Sequence, residues 1–176
     1  MSRGLDVVFY PRSVALLGAS EAVSFYIDPI SASLGDRFFL VNPKRSEVFG
    51  LRCYPSIMDV PEPVDYVIFA VPAGIVPQVL DECGRKGVRV AHIYSSGFGE
   101  TGLEEGEKLE EEVLRVSRSY GMRIIGPNCM GVYCPESGLF FSHDLPSEAG
   151  SVAFLSQSGG QAVNFVLRGV SRGLRS

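Results

Sequence analysis

A chain of 176 residues with a formal charge of -4, 45% hydrophobic and 10% aromatic, has the content for one ordinary domain or one domain plus part of another. The acidic balance, with no local Lys/Arg stripe, excludes the footprint of a nucleic-acid binder. No apolar run approaches the ~18 residues of a membrane span, and the opening MSRGLDVVFYP is interrupted too soon for a signal peptide, so a cytoplasmic protein is expected.

Along the chain, apolar runs alternate with helical patterns, the signature of a parallel sheet with crossover helices. Strands are expected at Ser13–Leu17, Phe38–Val41, Asp65–Val71, Val88–Tyr94 and Arg123–Ile125. Their continuous apolar character suits strands covered on both faces. A helix is expected over Ile75–Lys86, ending at Gly87 as a C-cap. Another is expected over Leu103–Tyr120, with Leu109, Val113, Val116 and Tyr120 as its apolar stripe and a Glu-rich solvated face. Thr101 and Glu104 have the spacing of a capping box. After Leu145–Gly150, read as a linker, a fresh strand Ser151–Leu155 and a helix-like Ala162–Val170 follow. One strand and one helix cannot bury their own apolar faces, so these residues read as the opening of a second α/β domain. The expected division is 1–146 and 147–176, within an α/β, Rossmann-like doubly wound sheet.

Cys53, Cys83, Cys129 and Cys134 form no CxxC pair, and only His92 and His143 stand beside them as further soft ligands. Free, mostly buried thiols are expected, and no metal site. His92 falls inside a strand and reads as a core histidine; His143 reads as a surface residue.

Open parallel sheets bind ligands at the carboxyl ends of their strands. After the first strand, Gly18 permits a tight turn, and Ala19 and Ser20 offer backbone N–H groups to a phosphate. The second strand is followed by Asn42, Pro43, Lys44 and Arg45, where a nicotinamide-binding unit places a carboxylate for the ribose. A cationic tip there favours a nucleotide with an extra phosphate, coenzyme A or NADP. Val71, Pro72 and Ala73 form a small apolar ledge after the third strand. The fourth is followed by SSGFGE and the fifth by GPNCMG. Several glycine-rich turns on one edge suit close backbone approach to a ligand. No GxSxG elbow or catalytic triad is present.

The segments PRSVALLGAS, FLVNPKRSEVFGLRCYPSIMDVP, VDYVIFAVPA, SSGFGETG, GMRIIGPNCMGV and SVAFLSQSGG, in this order, cover almost the whole chain. Together they resemble the CoA-binding domain of the nucleoside-diphosphate-forming acyl-CoA synthetases, the family of ADP-forming acetyl-CoA synthetase and the succinyl-CoA synthetase alpha subunit. The resemblance implies that Gly18, Ala19 and Ser20 meet the CoA phosphates and that Asn42, Pro43 and Lys44 lie near the adenine nucleotide end. It puts Val71, Pro72 and Ala73 along the cofactor, and Ser96, Gly97 and Phe98 beside its pantetheine arm. Asn128 and Cys129, in the turn Gly126–Gly131, would lie near the acyl-transfer site. Ser156, Gln157, Ser158, Gly159 and Gly160 match a turn that supports a phosphohistidine through a helix N-terminus.

The implied reaction converts acyl-CoA, ADP and phosphate to acid, CoA and ATP through an acyl phosphate and a phosphohistidine. The resemblance places the phosphohistidine in the remainder of the ligase domain, and ADP, ATP and Mg in an ATP-grasp domain or beta subunit. No catalytic residue is therefore expected in this chain, and no turnover from it alone. The partners implied are CoA, those two portions and, compatibly, a second copy in a homo-oligomer; neither nucleic acid nor membrane is expected. Two other readings stand beside this one: a CoA- or nucleotide-sensing module, including the CoA-ligase-like region of a protein acetyltransferase, and an NADP-dependent oxidoreductase.

Overall fold

The computed structural model describes residues 4–142 and 144–174. The expectation for His143 lies outside the described residues. A short helix α1 (Asp6–Phe9) leads into β1 (Val14–Leu17), α2 (Ser24–Leu34) and β2 (Phe38–Val41). A hairpin of β3 (Glu47–Val48) and β4 (Leu51–Tyr54) follows, then β5 (Tyr66–Phe69), α3 (Val76–Lys86), β6 (Val90–Ile93), α4 (Glu104–Tyr120), β7 (Arg123–Ile125) and α5 (Gly159–Val170). The strands form one seven-stranded sheet in the order β3-β4-β2-β1-β5-β6-β7, parallel except for the β3–β4 pair. The chain thus starts mid-sheet, winds to one edge and returns past β1 to the other. That reversal between β1 and β5 is the switch point where an open sheet forms its ligand crevice.

Both sheet faces are dry because alternate residues serve opposite cores. Val14 and Leu16 of β1, Leu40 of β2, Ile68 of β5 and Val90 of β6 join Tyr26, Ile27, Ile30 and Leu34 of α2. The intervening Ala15, Leu17, Phe39, Val67, Phe69, Ala91 and Ile93 meet Leu80 and Cys83 of α3 and Val113 and Val116 of α4. Each Val, Leu, Ile or Phe among them contributes ~1.5–3 kcal/mol on burial. At the amino edge, Arg12 donates from Nε and Nη2 to the buried carboxylate of Asp65, at 2.9 and 3.0 Å. That pairing holds the Asp65 carboxyl below its ordinary value and clamps the start of β1 to β5.

The five expected strands of the sheet are all present, and α3 ends at a left-handed Gly87. The β3–β4 hairpin enlarges the sheet beyond the five strands anticipated. Three local expectations are corrected. The strand at Ser151–Leu155 does not form; it finds no ladder partner among the described residues, and Leu155 is 95% exposed. The helix after it starts at Gly159 rather than Ala162. The Thr101–Glu104 capping box is also absent, because the Thr101 hydroxyl turns back to donate to Phe98 O at 2.8 Å. Tyr120 lies at the exposed end of the α4 stripe and donates its hydroxyl to Asp81.

All four cysteines are free: Cys53 and Cys83 are buried, whereas Cys129 and Cys134 are half-buried. Among the described residues no group of ligating side chains is placed to hold a metal, and no helix is long and apolar enough to cross a membrane.

Candidate cofactor crevice at the carboxyl edge

Gly18 ends β1 with φ +83°, and a Cβ there would stand 2.2 Å from Ala70 O beyond β5. Only glycine lets the two strand ends close this tightly. The amides of Gly18 and Ala19 both donate to Val41 O, at 2.9 and 3.2 Å. Ala19 is fully buried, so its amide and methyl maintain the fold, and Ser20 is the half-buried residue that opens the next turn.

Asn42 stitches this turn to the one after β2. Its Nδ2 donates to Ala19 O at 2.8 Å, and its Oδ1 accepts from the Lys44 amide at 2.9 Å. Arg45 is drawn aside into an ion pair with Glu21 at 2.7 Å. Lys44 remains exposed at the tip, and no ion pair engages it among the described residues.

The next wall is the ledge Val71–Ala73. Ser95 donates its hydroxyl to Phe69 O at 3.2 Å and to Val71 O, tying the ledge to the loop after β6. Gly97 has φ +110°, and a Cβ on it would meet the Ala73 methyl at 3.3 Å. Three successive amides of this loop are already engaged by carboxylates. Gly97 and Phe98 donate to Glu100 at 2.7 and 3.0 Å, and Gly99 donates to Glu110 at 3.1 Å. This basin of N–H groups is filled by the protein itself, so it preorganises the loop. Phe98, expected beside the cofactor, is fully buried in the core with α3 and α4; Ser96 and Gly97 provide the exposed part.

Beyond β7 the chain makes the turn Gly126–Gly131. The Asn128 amide donates to Ser95 O at 3.0 Å and the Cys129 amide to Ile93 O at 3.4 Å. Gly131 N–H approaches Cys129 Sγ at 3.3 Å. From below, the Tyr26 hydroxyl donates to Met130 O and His92 Nε2 meets Cys129 O, both at 2.8 Å. Burial pulls the His92 imidazole down to about 4, against the Cys129 bond that favours its protonated form.

The C-terminal turn closes on the same place. Ser158 caps α5 by accepting from the Gln161 amide at 3.3 Å, and Ser156 Oγ bonds the Ser158 backbone. A Cβ on Gly159 would stand 2.4 Å from Met130 Cγ, so this helix start lies directly against the Gly126–Gly131 turn. Ser156 and Gln157 share an open cavity of about 920 Å³ with Gly99, Glu100, Asn128 and Cys129.

Three groupings result: Gly18–Ser20 with Asn42–Lys44, Val71–Ala73 with Ser96–Gly97, and Asn128–Cys129 with Ser156–Gln157. Glu100, Glu110, Tyr26 and the polar role of His92 were not read from the sequence. Glu100 stood inside the SSGFGE motif, Glu110 on the helix face expected to be solvated, and His92 in a strand as an expected core histidine.

Residues 12–135 match the family described as "CoA binding domain". Acetate–CoA ligase [ADP-forming] I of Archaeoglobus fulgidus is 43% identical over 160 residues, covering 88% of this chain and 23% of that protein. The alpha subunit of acetate–CoA ligase [ADP-forming] II from Pyrococcus furiosus is 39% identical over 168 residues, covering 93% of this chain and 36% of that subunit. The apo structure of the dinucleotide-forming acetyl-coenzyme A synthetase 1 of Ca. Korarchaeum cryptofilum superposes with a TM-score of 0.81 at 37% identity, covering 97% of this chain and 38% of that one. The chain spans well under half the length of each of these proteins.

Proposed function

The chain belongs to the CoA binding domain family, and on that footing we propose that it holds coenzyme A along the carboxyl edge of its sheet as one part of an ADP-forming acyl-CoA synthetase. The observation that carries the reading is the pair of turns after β1 and β2, stitched together by Asn42. The Gly18 turn permits close backbone approach, while Asn42 holds the neighbouring loop so that Lys44 projects where a nicotinamide site would present a carboxylate. The residues fit the cofactor. Ser20 and the helical turn after it meet the diphosphate, Lys44 pairs with the ribose phosphate, and Val71–Ala73 with Ser96 and Gly97 form a largely neutral channel for the thiol arm. That arm leads towards Asn128 and Cys129.

CoA supplies a thiol that carries the acyl group; this chain binds and orients it. Asn128 and Cys129, in the wall of the cavity, would stand beside the thiol end of the bound cofactor. The start of α5 would stabilise the phosphohistidine of the ligase. The first amides of that helix have no partner within it, and its dipole favours an anion. ADP, ATP and Mg belong to a separate ATP-grasp portion. Cytoplasmic location and assembly with the remaining ligase portions, with the domain division at 146, complete the proposal.

The test is a thermal-shift panel with CoA, dephospho-CoA, NAD and NADP. At ~100 times its dissociation constant a ligand adds about 2.7 kcal/mol, a shift of several degrees for a chain of this size. Stabilisation by CoA, weaker with dephospho-CoA and absent with NAD, is the expected result. Stabilisation by NADP alone overturns the reading and favours the oxidoreductase.

A further inference from the structure

We propose that His92 and Tyr26 are positioning residues that lock the Gly126–Gly131 turn from beneath and so hold Asn128 and Cys129 in the cavity wall. The inference about the turn stands on geometry; its bearing on acyl transfer rests on the CoA reading above.

His92 lies on β6 at 1% exposure, on the face whose sheet neighbours Ile68 and Val90 are aliphatic. An aliphatic side chain would fill such a place without the cost of burying a polar ring. The ring is boxed by Tyr26 at 5.8 Å and Tyr66 at 6.1 Å, both edge-on. Its Nε2 is directed at Cys129 O, 2.8 Å away. A carbonyl only accepts, so Nε2 carries the proton and the neutral ring donates. One residue further on, the Tyr26 hydroxyl donates to Met130 O at the same distance.

Two successive carbonyls of one turn are therefore held by side chains from two different elements, β6 and α2. The turn needs them: β7 ends at Ile125, and no strand pairing covers residues 126–131. Gly131 completes the lock. With φ +101° it lies flat on the imidazole, and a Cβ there would stand 2.4 Å from the ring. The amides of Asn128 and Cys129, bonded to Ser95 O and Ile93 O, fix the turn from the other side. Loss of a donor beneath frees the segment carrying Cys129 while the amide bonds above it remain.

The test uses the full chain and the variants His92→Leu, His92→Gln and Tyr26→Phe. Leucine removes the donor, glutamine returns an N–H near the position of Nε2, and phenylalanine removes only the hydroxyl. The readout is alkylation of Cys129 by iodoacetamide, resolved by peptide mass spectrometry. Cys134, also half-buried but outside the turn, is the internal reference. We expect His92→Leu and Tyr26→Phe to change the Cys129-to-Cys134 rate ratio at least about fivefold, and His92→Gln to stay within about twofold of the parent, in line with loss of one hydrogen bond of ~1 kcal/mol. A lowered melting temperature with the ratio unchanged means that both residues only fill the core and overturns the proposal. Tyr26→Phe, which removes a single oxygen, decides the matter if His92→Leu does not fold. No cofactor enters this measurement, so failure of CoA to bind leaves its outcome intact.

Discussion

Stability of the folded chain should fall as pH drops from about 6.5 to about 4, and His92 should be the cause. The imidazole is pulled down to about 4 from an ordinary value of 6.5, chiefly by burial. In the unfolded chain the same ring takes up a proton as pH falls through 6.5, whereas the folded chain refuses it until about 4. The unfolded state thus binds more protons in this window, and the equilibrium shifts towards it. A gap of roughly two and a half pH units, at about 1.4 kcal/mol each, gives about 3 kcal/mol. For a chain of this size that is a fall of about 6–12 °C in melting temperature. The titratable groups packed on the ring do not interfere: Tyr26 and Tyr66 are both pushed upward by burial and stay neutral. Asp65 acts elsewhere on the pH scale; its contribution is lost only as pH falls below about 3.8 towards its depressed folded value. The assay is thermal melting of the parent chain and His92→Gln at intervals from about pH 7 to about pH 4.5. The stability advantage of the parent should shrink steadily across that range. A constant difference would refute the argument, because it would mean that the ring is hydrated or already charged in the folded state.

Three further outcomes follow from the crevice. Gly18→Ala should lower stability by about 2–4 kcal/mol, read by thermal melting, since it combines a positive φ with a Cβ 2.2 Å from Ala70 O; an unchanged melt would show that the β1–β5 junction has slack. Lys44→Gln should weaken CoA binding about tenfold by calorimetry, about 1.4 kcal/mol, while leaving dephospho-CoA unaffected. Arg45→Gln should do less, because Glu21 already engages that guanidinium.

The sheet was legible because its strands are apolar on both faces, and that pattern survives without knowledge of partners. What failed needed partners. Ser151–Leu155 has the composition of a buried strand, but a strand exists only through a neighbour's ladder, and Leu155 instead points into solvent. The β3–β4 hairpin failed in the opposite sense. Glu47–Val48 and Leu51–Tyr54 are too short and too mixed to announce themselves, yet β4 pairs with β2 and becomes part of the sheet. Thr101 had a suitable partner at the right spacing and chose the nearer carbonyl of Phe98.

The candidate site divides along the same line. Position in the chain identified the loops, since every turn at the carboxyl edge of a doubly wound sheet faces the crevice. Position could not say which atoms in those loops are already committed. Ala19 gives its amide to Val41 O, Asn42 gives both ends of its side chain to neighbouring backbone, and Phe98 goes into the core. Gly97, Phe98 and Gly99 surrender their amides to Glu100 and Glu110. Each of these residues carries the chemistry expected of a binding loop, and each uses it to hold the loop in place. The side chains that the CoA reading would set along the cofactor are therefore Ser20, Lys44, the Val71–Ala73 ledge, Ser96, Asn128 and Cys129. Ser20 and Lys44 stand at one end, Asn128 and Cys129 at the other, and the Val71–Ala73 ledge with Ser96 between them, an order that suits the proposed ligand, charged at one end and reactive at the other.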